Sequence, residues 1–161
     1  TDNKEINLKI NNNSLAIDDS PYSDYSIIKK GMHKISFSDV VKDIELDAGK
    51  YYTIVATPDN SYKLYEDALI ENPTKATVYF CNFTKDPVSL KSLEFEATLF
   101  EDIASMACDS REMNAVDFDL NVSKGTDEIK SFPEVSLKRQ RGTSIIVTNS
   151  STYLIENKVS Q

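Results

Sequence analysis

The stretch Leu46-Asp47-Ala48-Gly49-Lys50-Tyr51-Tyr52-Thr53-Ile54-Val55-Ala56 constrains the fold most. Gly49 marks a turn, because glycine enters positive φ without steric cost. The β-branched and aromatic residues after it fit a pleated, half-buried surface. Alternation puts Tyr52, Ile54 and Ala56 on one face and Tyr51, Thr53 and Val55 on the other. Both faces carry apolar atoms, so a central strand covered on both sides is expected. A looser copy runs from Val135 to Thr148: apolar, polar, Leu137, a polar turn, Gly142, then a strand ending in Val147 and Thr148. Two copies of one small β module are the simplest account.

The rest of the chain reads the same way. Ile6, Leu8 and Ile10 alternate with polar residues, Asn11 to Ser14 turn, and Leu15 to Ile17 form a second short strand. Tyr25, Ile27 and Ile28 begin another, which stops at Lys30-Gly31. His33, Ile35 and Phe37 alternate next, and Pro58 to Ser61 form a turn before Tyr62, Leu64 and Tyr65. Ala76 to Phe83 alternate well. Leu93, Phe95, Ala97, Leu99 and Phe100 read as strand residues, Ile103 to Cys108 as strand or a short helical turn. Val116, Phe118, Leu120 and Val122 form a strand with an acidic edge. Tyr153 to Ile155 close a sheet. Short strands at about ten-residue spacing with turn signals between them indicate sandwiches or barrels. Pro73 removes a backbone donor and holds Asn72 extended, so Glu71 to Thr74 is the best boundary. The expected architecture is all-β: two tandem small antiparallel β-sandwich domains, residues 1–71 and 72–161, joined by a short linker.

Composition sets limits on function. With 161 residues, 40% of them apolar, the chain can build a core. No run approaches the roughly 20 apolar residues of a membrane-spanning helix. The chain begins at Thr1 with no apolar segment near it, so any export signal is expected to have been removed or never to have existed. The net charge of -8 disfavours nucleic acid and anionic membranes, which are recognised with Lys and Arg.

Catalytic and metal chemistry find little support. His33 is the sole histidine, so any nucleophile–histidine pair would have to use it; its surroundings read as a strand start. One histidine and two cysteines do not make the usual zinc site, and no metal or cofactor is expected. Asp18, Asp19 and Asp24 lack calcium-loop spacing. Asp117 and Asp119 share a strand face, as paired acids or as a solvated edge. Cys81 and Cys108 are either a structural disulfide, given an oxidising compartment, or two separate thiols. Lys138, Arg139 and Arg141 form the one basic cluster. It is a contact for an anionic partner or a charged turn that keeps a sheet edge soluble.

With these elements placed, the chain resembles the AlgF family of alginate O-acetylation accessory proteins. The resemblance runs through Leu46 to Val55, Lys75 to Thr84, Val88 to Lys91, Arg111 to Phe118 and Val135 to Arg139. It is strongest between about Val40 and Thr148, and weaker at Pro21 to Tyr25 and Gly31. It implies two β-sandwich modules exported to the periplasm, without catalytic residues of their own. It also implies a scaffold or adaptor role beside membrane and periplasmic O-acetylation proteins that modify an alginate-like exopolysaccharide in biofilm. The acidic composition disfavours tight binding of a polyanion and favours protein contacts. The Ser and Asp-x-x-His pattern of acetyl-loading hydrolase folds is not met: Asp109-Ser110 follows Cys108, and Lys30 stands three before His33. The rival expectation is a carbohydrate-binding or adhesive surface module with Tyr22, Tyr25, Tyr51 and Tyr52 as ring platforms.

Overall fold

Residues 8–14, 22–23, 25–37, 39–57, 61–67 and 72–157 are described by a computed structural model. Every regular element among them is a β-strand. The chain divides into two compact units near residue 70, and each is taken by itself. Leu15 to Ile17, Asp18, Asp19, Asp24, Pro58 to Asn60 and Glu71 lie outside the described residues.

In the first unit, β1 (Leu8–Ile10) and β2 (Asn13–Ser14) form a hairpin. Asn11 and Asn12 take φ of 51° and 69° in its two-residue loop, the left-handed pair that matches strand twist. β1 pairs with β3 (Gly31–Phe37), and β3 with β4 (Val40–Leu46), completing a four-stranded sheet in the order β2-β1-β3-β4. A separate ribbon is made of β5 (Tyr51–Thr57) and β6 (Ser61–Asp67). Leu8, Ile10, Ile35 and Phe37 from the sheet pack with Tyr62 and Ile54 from the ribbon. Side chains of alternate residues meet between the layers because strand periodicity is two.

Two sequence expectations change here. β5 is not a central strand: among the described residues it pairs with β6 alone, and Tyr52 to Val55 are half-buried. Residue types mark it as a strand; its place in a ribbon is set by which distant residues pair with it. Tyr25 to Ile28 do not begin a strand either; Tyr25 makes an isolated bridge, and Ile27 is 84% exposed.

The second unit is a sandwich of two four-stranded sheets. Its strands are β7 (Lys75–Phe83), β8 (Val88–Ser92), β9 (Ala97–Ile103), β10 (Ala107–Asn114), β11 (Asp117–Lys124), β12 (Asp127–Ser136), β13 (Gly142–Thr148) and β14 (Thr152–Glu156). One sheet runs β10-β7-β13-β14, the other β12-β11-β8-β9. Ala76, Val78, Phe80, Ile145 and Val147 of the first pack against Val88, Leu90, Leu99, Phe118, Leu120 and Val122 of the second. All but the end residues of β7 are buried. No helical turn forms between Ile103 and Cys108; Met106, at φ 59°, turns the chain directly into β10. One pairing departs from the antiparallel expectation: β7 and β13 are parallel. The chain reaches β13 only after crossing to the other sheet and back twice, the long connection that parallel neighbours require.

That geometry also separates the two look-alike stretches. Gly49 sits in a turn at φ 74°. Gly142 is needed for space instead, because a Cβ there would lie 2.8 Å from Tyr79 Cε2 and 2.9 Å from Asn157 Nδ2. One stretch leads into a two-stranded ribbon and the other into an interior strand. The likeness is shared strand chemistry rather than a duplicated module.

A single buried amide ties the turns at one end of the sandwich. Asn82 is fully buried and donates through Nδ2 to the carbonyls of Asp86 and Ile103, both at 2.8 Å. Its Oδ1 accepts from Thr84 N at 2.9 Å and Thr84 Oγ1 at 2.7 Å. Asn82→Ala strips partners from several groups at once, and an unsatisfied buried group costs about 1–3 kcal/mol. The second unit is expected to lose about 3 kcal/mol, read as a lower denaturant midpoint at unchanged slope.

Candidate functional site

Strand alternation turns His33 inward from β3, where it is 8% exposed. Asn11, in the left-handed hairpin loop, accepts from Lys34 N through Oδ1 at 2.9 Å. That leaves its Nδ2 to donate to His33 Nδ1 at 2.8 Å. The other ring nitrogen lies 2.6 Å from the Lys29 carbonyl. Donor and acceptor roles are then fixed: Nδ1 accepts, and Nε2–H donates. Both nitrogens are therefore committed to the hairpin loop and to the segment entering β3. Among the described residues, neither is hydrogen-bonded to a serine, a cysteine or a carboxylate.

Cys81 in β7 and Cys108 in β10 are directly opposed in register and joined as a disulfide, with Cα atoms 4.1 Å apart. The bond fastens β10, at the edge of its sheet, to the interior strand. Lys138, Arg139 and Arg141 are exposed in the turn between β12 and β13. Lys138 pairs with Glu156 at 3.3 Å. The turn's backbone is anchored to β7: Gln140 N donates to Lys75 O at 2.8 Å, and Thr77 N donates to Arg141 O at 3.0 Å.

The acidic pair separates into two roles. Asp117 is exposed. Asp119 lies at a register shift between β11 and β12, where its Oδ1 accepts from Glu134 N at 2.8 Å. Glu134 has φ of 53°, so Asp119 steadies a bulge. The tyrosines do not form one platform. Tyr25 and Tyr51 meet edge to face at 5.5 Å, while Tyr52, on the opposite face of β5, accepts from Asp47 N at 3.2 Å.

The cluster around Asp67 escaped the sequence reading. Tyr25 Oη donates to Asp67 Oδ2 at 2.7 Å, and Thr53 Oγ1 donates to the same oxygen at 2.8 Å. Burial raises the Asp67 carboxyl above its usual range, and the two hydrogen bonds oppose that rise. The signal was the register: Asp67 lies opposite Tyr51, two register pairs from Thr53 and so on its face of the ribbon. Elsewhere, Asp86, Pro87, Asp102, Lys124, Gly125 and Thr126 line a shallow open dip, crossed by a Lys124–Asp86 ion pair at 2.6 Å. Among the described residues, no three His, Cys, Asp or Glu side chains converge as a metal site. Among the same described residues, no helix is long and apolar enough to cross a membrane.

These features define an all-β protein of two compact units with a disulfide-fastened second unit. A family model described as AlgF, "Alginate O-acetyl transferase AlgF", matches residues 1–145. The chain belongs to that family. It is 26% identical over 132 residues to the alginate biosynthesis protein AlgF of Pseudomonas putida, covering 82% of this chain and 61% of the relative. The same-named protein of Pseudomonas aeruginosa is 25% identical over 150 residues, covering 92% of this chain and 69% of the relative. The chain thus spans 61% and 69% of the length of these two relatives. A solved structure of the C-terminal domain of AlgF from P. aeruginosa matches with a TM-score of 0.48 at 22% identity, covering 52% of this chain and 99% of that domain.

Two outcomes follow from the site geometry. Reducing the Cys81–Cys108 bond, or replacing both residues with Ala, releases a constraint whose typical worth is about 2–4 kcal/mol. The melting transition of the second unit should fall while that of the first stays, as resolved by calorimetry with and without reductant. For Asp67 the folded state binds a proton more tightly than the unfolded chain, whose reference value is 3.8. The stability this contributes is present below that value and lost as pH rises through the raised folded value. Asp67→Asn removes the titration, so its melting temperature should gain on the wild type as pH rises from about 4 through the raised folded value. A pH-independent difference would exclude this linkage.

Proposed function

We propose that this chain is a non-catalytic adaptor for O-acetylation of an alginate-like exopolysaccharide. It works in the periplasm beside the membrane and periplasmic proteins that carry the acetyl group. The family match over residues 1–145 supports the pathway. The state of His33 carries the adaptor reading. Acyl transfer through a serine or cysteine needs a nucleophile activated by a neighbouring base. The sole histidine is held by Asn11 and the Lys29 carbonyl, with no nucleophile bonded to it among the described residues. The disulfide fits an oxidising compartment such as the periplasm. A charge of -8 would repel a polyuronate, which favours protein partners over the polymer.

The test pairs genetics with enzymology. A strain lacking this protein should still make polymer, with a strongly reduced acetyl content by proton NMR. The purified chain should release no acetate from a chromogenic acetyl ester. Normal acetylation without the protein, or ester turnover by the chain alone, would refute the adaptor role.

A further inference from the structure

The loop joining β8 to β9 is built against the usual rules for a turn. Sequence alternation places Leu93 and Phe95 in a strand, yet Ser92 and Ala97 are register partners and residues 93–96 form a four-residue turn between them. Both apolar side chains project from its tip: Leu93 is 50% exposed and Phe95 61%. Hairpin turns ordinarily carry Gly, Asn, Asp, Pro or Ser, each for a conformational reason. Here Glu96 holds φ of 46°, a conformation that costs a residue with a Cβ.

The turn is nevertheless fixed in place. Leu93 N donates to Asp119 O at 3.2 Å, which ties the turn to β11. Glu96 N donates to Leu93 O at 3.4 Å, and Phe95 N to Ser92 Oγ at 3.4 Å. The Phe95 ring lies 6.1 Å from that of Phe118, a core residue 1% exposed. The tip is therefore an outward extension of the hydrophobic core. β8 and β11 are antiparallel, with Ser92 opposite Leu120. Val116, 37% exposed, consequently lies at the same end of the sheet. An apolar tip held rigid before binding loses little conformational freedom on docking, and apolar anchors that fill a partner's pocket dominate interface energetics.

Charge chooses the occupant. Glu94 and Glu96 alternate with the apolar pair, and Asp117 is exposed at the same end. An anionic leaflet repels that arrangement. The basic turn leaves β12 at this same end of the sheet, where Leu137 N donates to Val116 O, but on the opposite flank of β11 from the loop.

We propose that the 93–96 turn is a docking knob: Leu93 and Phe95 enter an apolar recess on a partner protein whose rim carries Lys or Arg facing Glu94 and Glu96. This deepens the adaptor reading and rests on it, with the partner one of the O-acetylation proteins.

The test measures affinity of the intact chain for each purified O-acetylation protein of the same polysaccharide system by biolayer interferometry. The variants are Leu93→Ser, Phe95→Ser, the charge reversal Glu94→Lys with Glu96→Lys, and Ile129→Ser. Ile129 is an exposed apolar control on β12. Because Phe95 touches the core, Leu93→Ser and the charge reversal keep the test valid if Phe95→Ser unfolds. At least a tenfold loss is expected for the Leu93 and Phe95 variants, with Ile129→Ser unchanged. The charge reversal should weaken binding most at low salt. Wild-type affinity in both turn variants would overturn the knob and leave the adaptor role standing. No binding by the wild type to any acetylation protein would overturn both. Sedimentation of the wild type with phosphatidylethanolamine–phosphatidylglycerol vesicles, abolished by Phe95→Ser, would assign the knob to a lipid surface instead. A dimer in analytical ultracentrifugation that dissolves in Phe95→Ser would assign it to a second copy.

Discussion

The second unit depends on one strand that has no solvent face. β7 is buried along both sides, with Val78 and Phe80 turned to the opposing sheet and Thr77, Tyr79 and Cys81 to the other face. A backbone removed from water must satisfy its hydrogen bonds internally. β7 does so with β10 on one edge and β13 on the other. Each neighbour is reinforced by a different bond. The Cys81–Cys108 disulfide holds β10. The basic turn holds the entry to β13 through its backbone contacts at Lys75 and Thr77. Lys138, Arg139 and Arg141 are thus presented outward from a segment whose main chain belongs to the architecture of the sheet.

This arrangement explains which parts of the fold were legible in the sequence. Ala76 to Phe83 reads as a strand from its alternation, and it lies within one, buried on both faces. Phe118, Leu120 and Val122 alternate, and the strand buries that face. Tyr51 to Thr57 carries the same residue types, yet it forms half of a ribbon. Strand chemistry identifies a strand; its position in a sheet depends on pairing with distant residues. The same limit hides the parallel pairing of β7 with β13, which no local pattern encodes. The Asp67 cluster was equally hidden. Tyr25, Thr53 and Asp67 are remote in sequence and meet only through the fold.

With four glycines in the chain, much left-handed backbone falls to other residues. Asn11, Asn12, Glu96, Asp102, Met106, Glu134 and Gln140 all take positive φ. Such a residue costs roughly 1–2 kcal/mol unless it is Gly, with Asn and Asp the mildest exceptions. The structure offsets this cost with specific bonds at most of these positions. Asp102 N donates to Ser89 Oγ at 2.9 Å, Met106 N to Asn82 O at 2.7 Å, and Glu134 N to Asp119 Oδ1 at 2.8 Å. Gln140 N donates to Lys75 O at 2.8 Å, and Asn11 carries the His33 and Lys34 bonds. The sole histidine and one of the two candidate acids are therefore occupied in stabilising turns.

Glu96 differs from that group. Its amide bonds only within its own turn, at 3.4 Å, and its side chain is exposed. The two apolar side chains beside it gain less from folding than buried ones, because half or more of each remains in water. Neither local propensity nor burial accounts for Leu-Glu-Phe-Glu at this tip, whereas both account for Asn11-Asn12 and for Asp119 with Glu134. A local rule broken without compensation inside the domain directs attention to what lies outside it. An observed backbone outlier is a legitimate start for a functional hypothesis, whereas a presumed function would not justify positing strain. On the adaptor reading proposed above, the surface acts by contact. The turn that the fold itself least requires is where that contact is best placed.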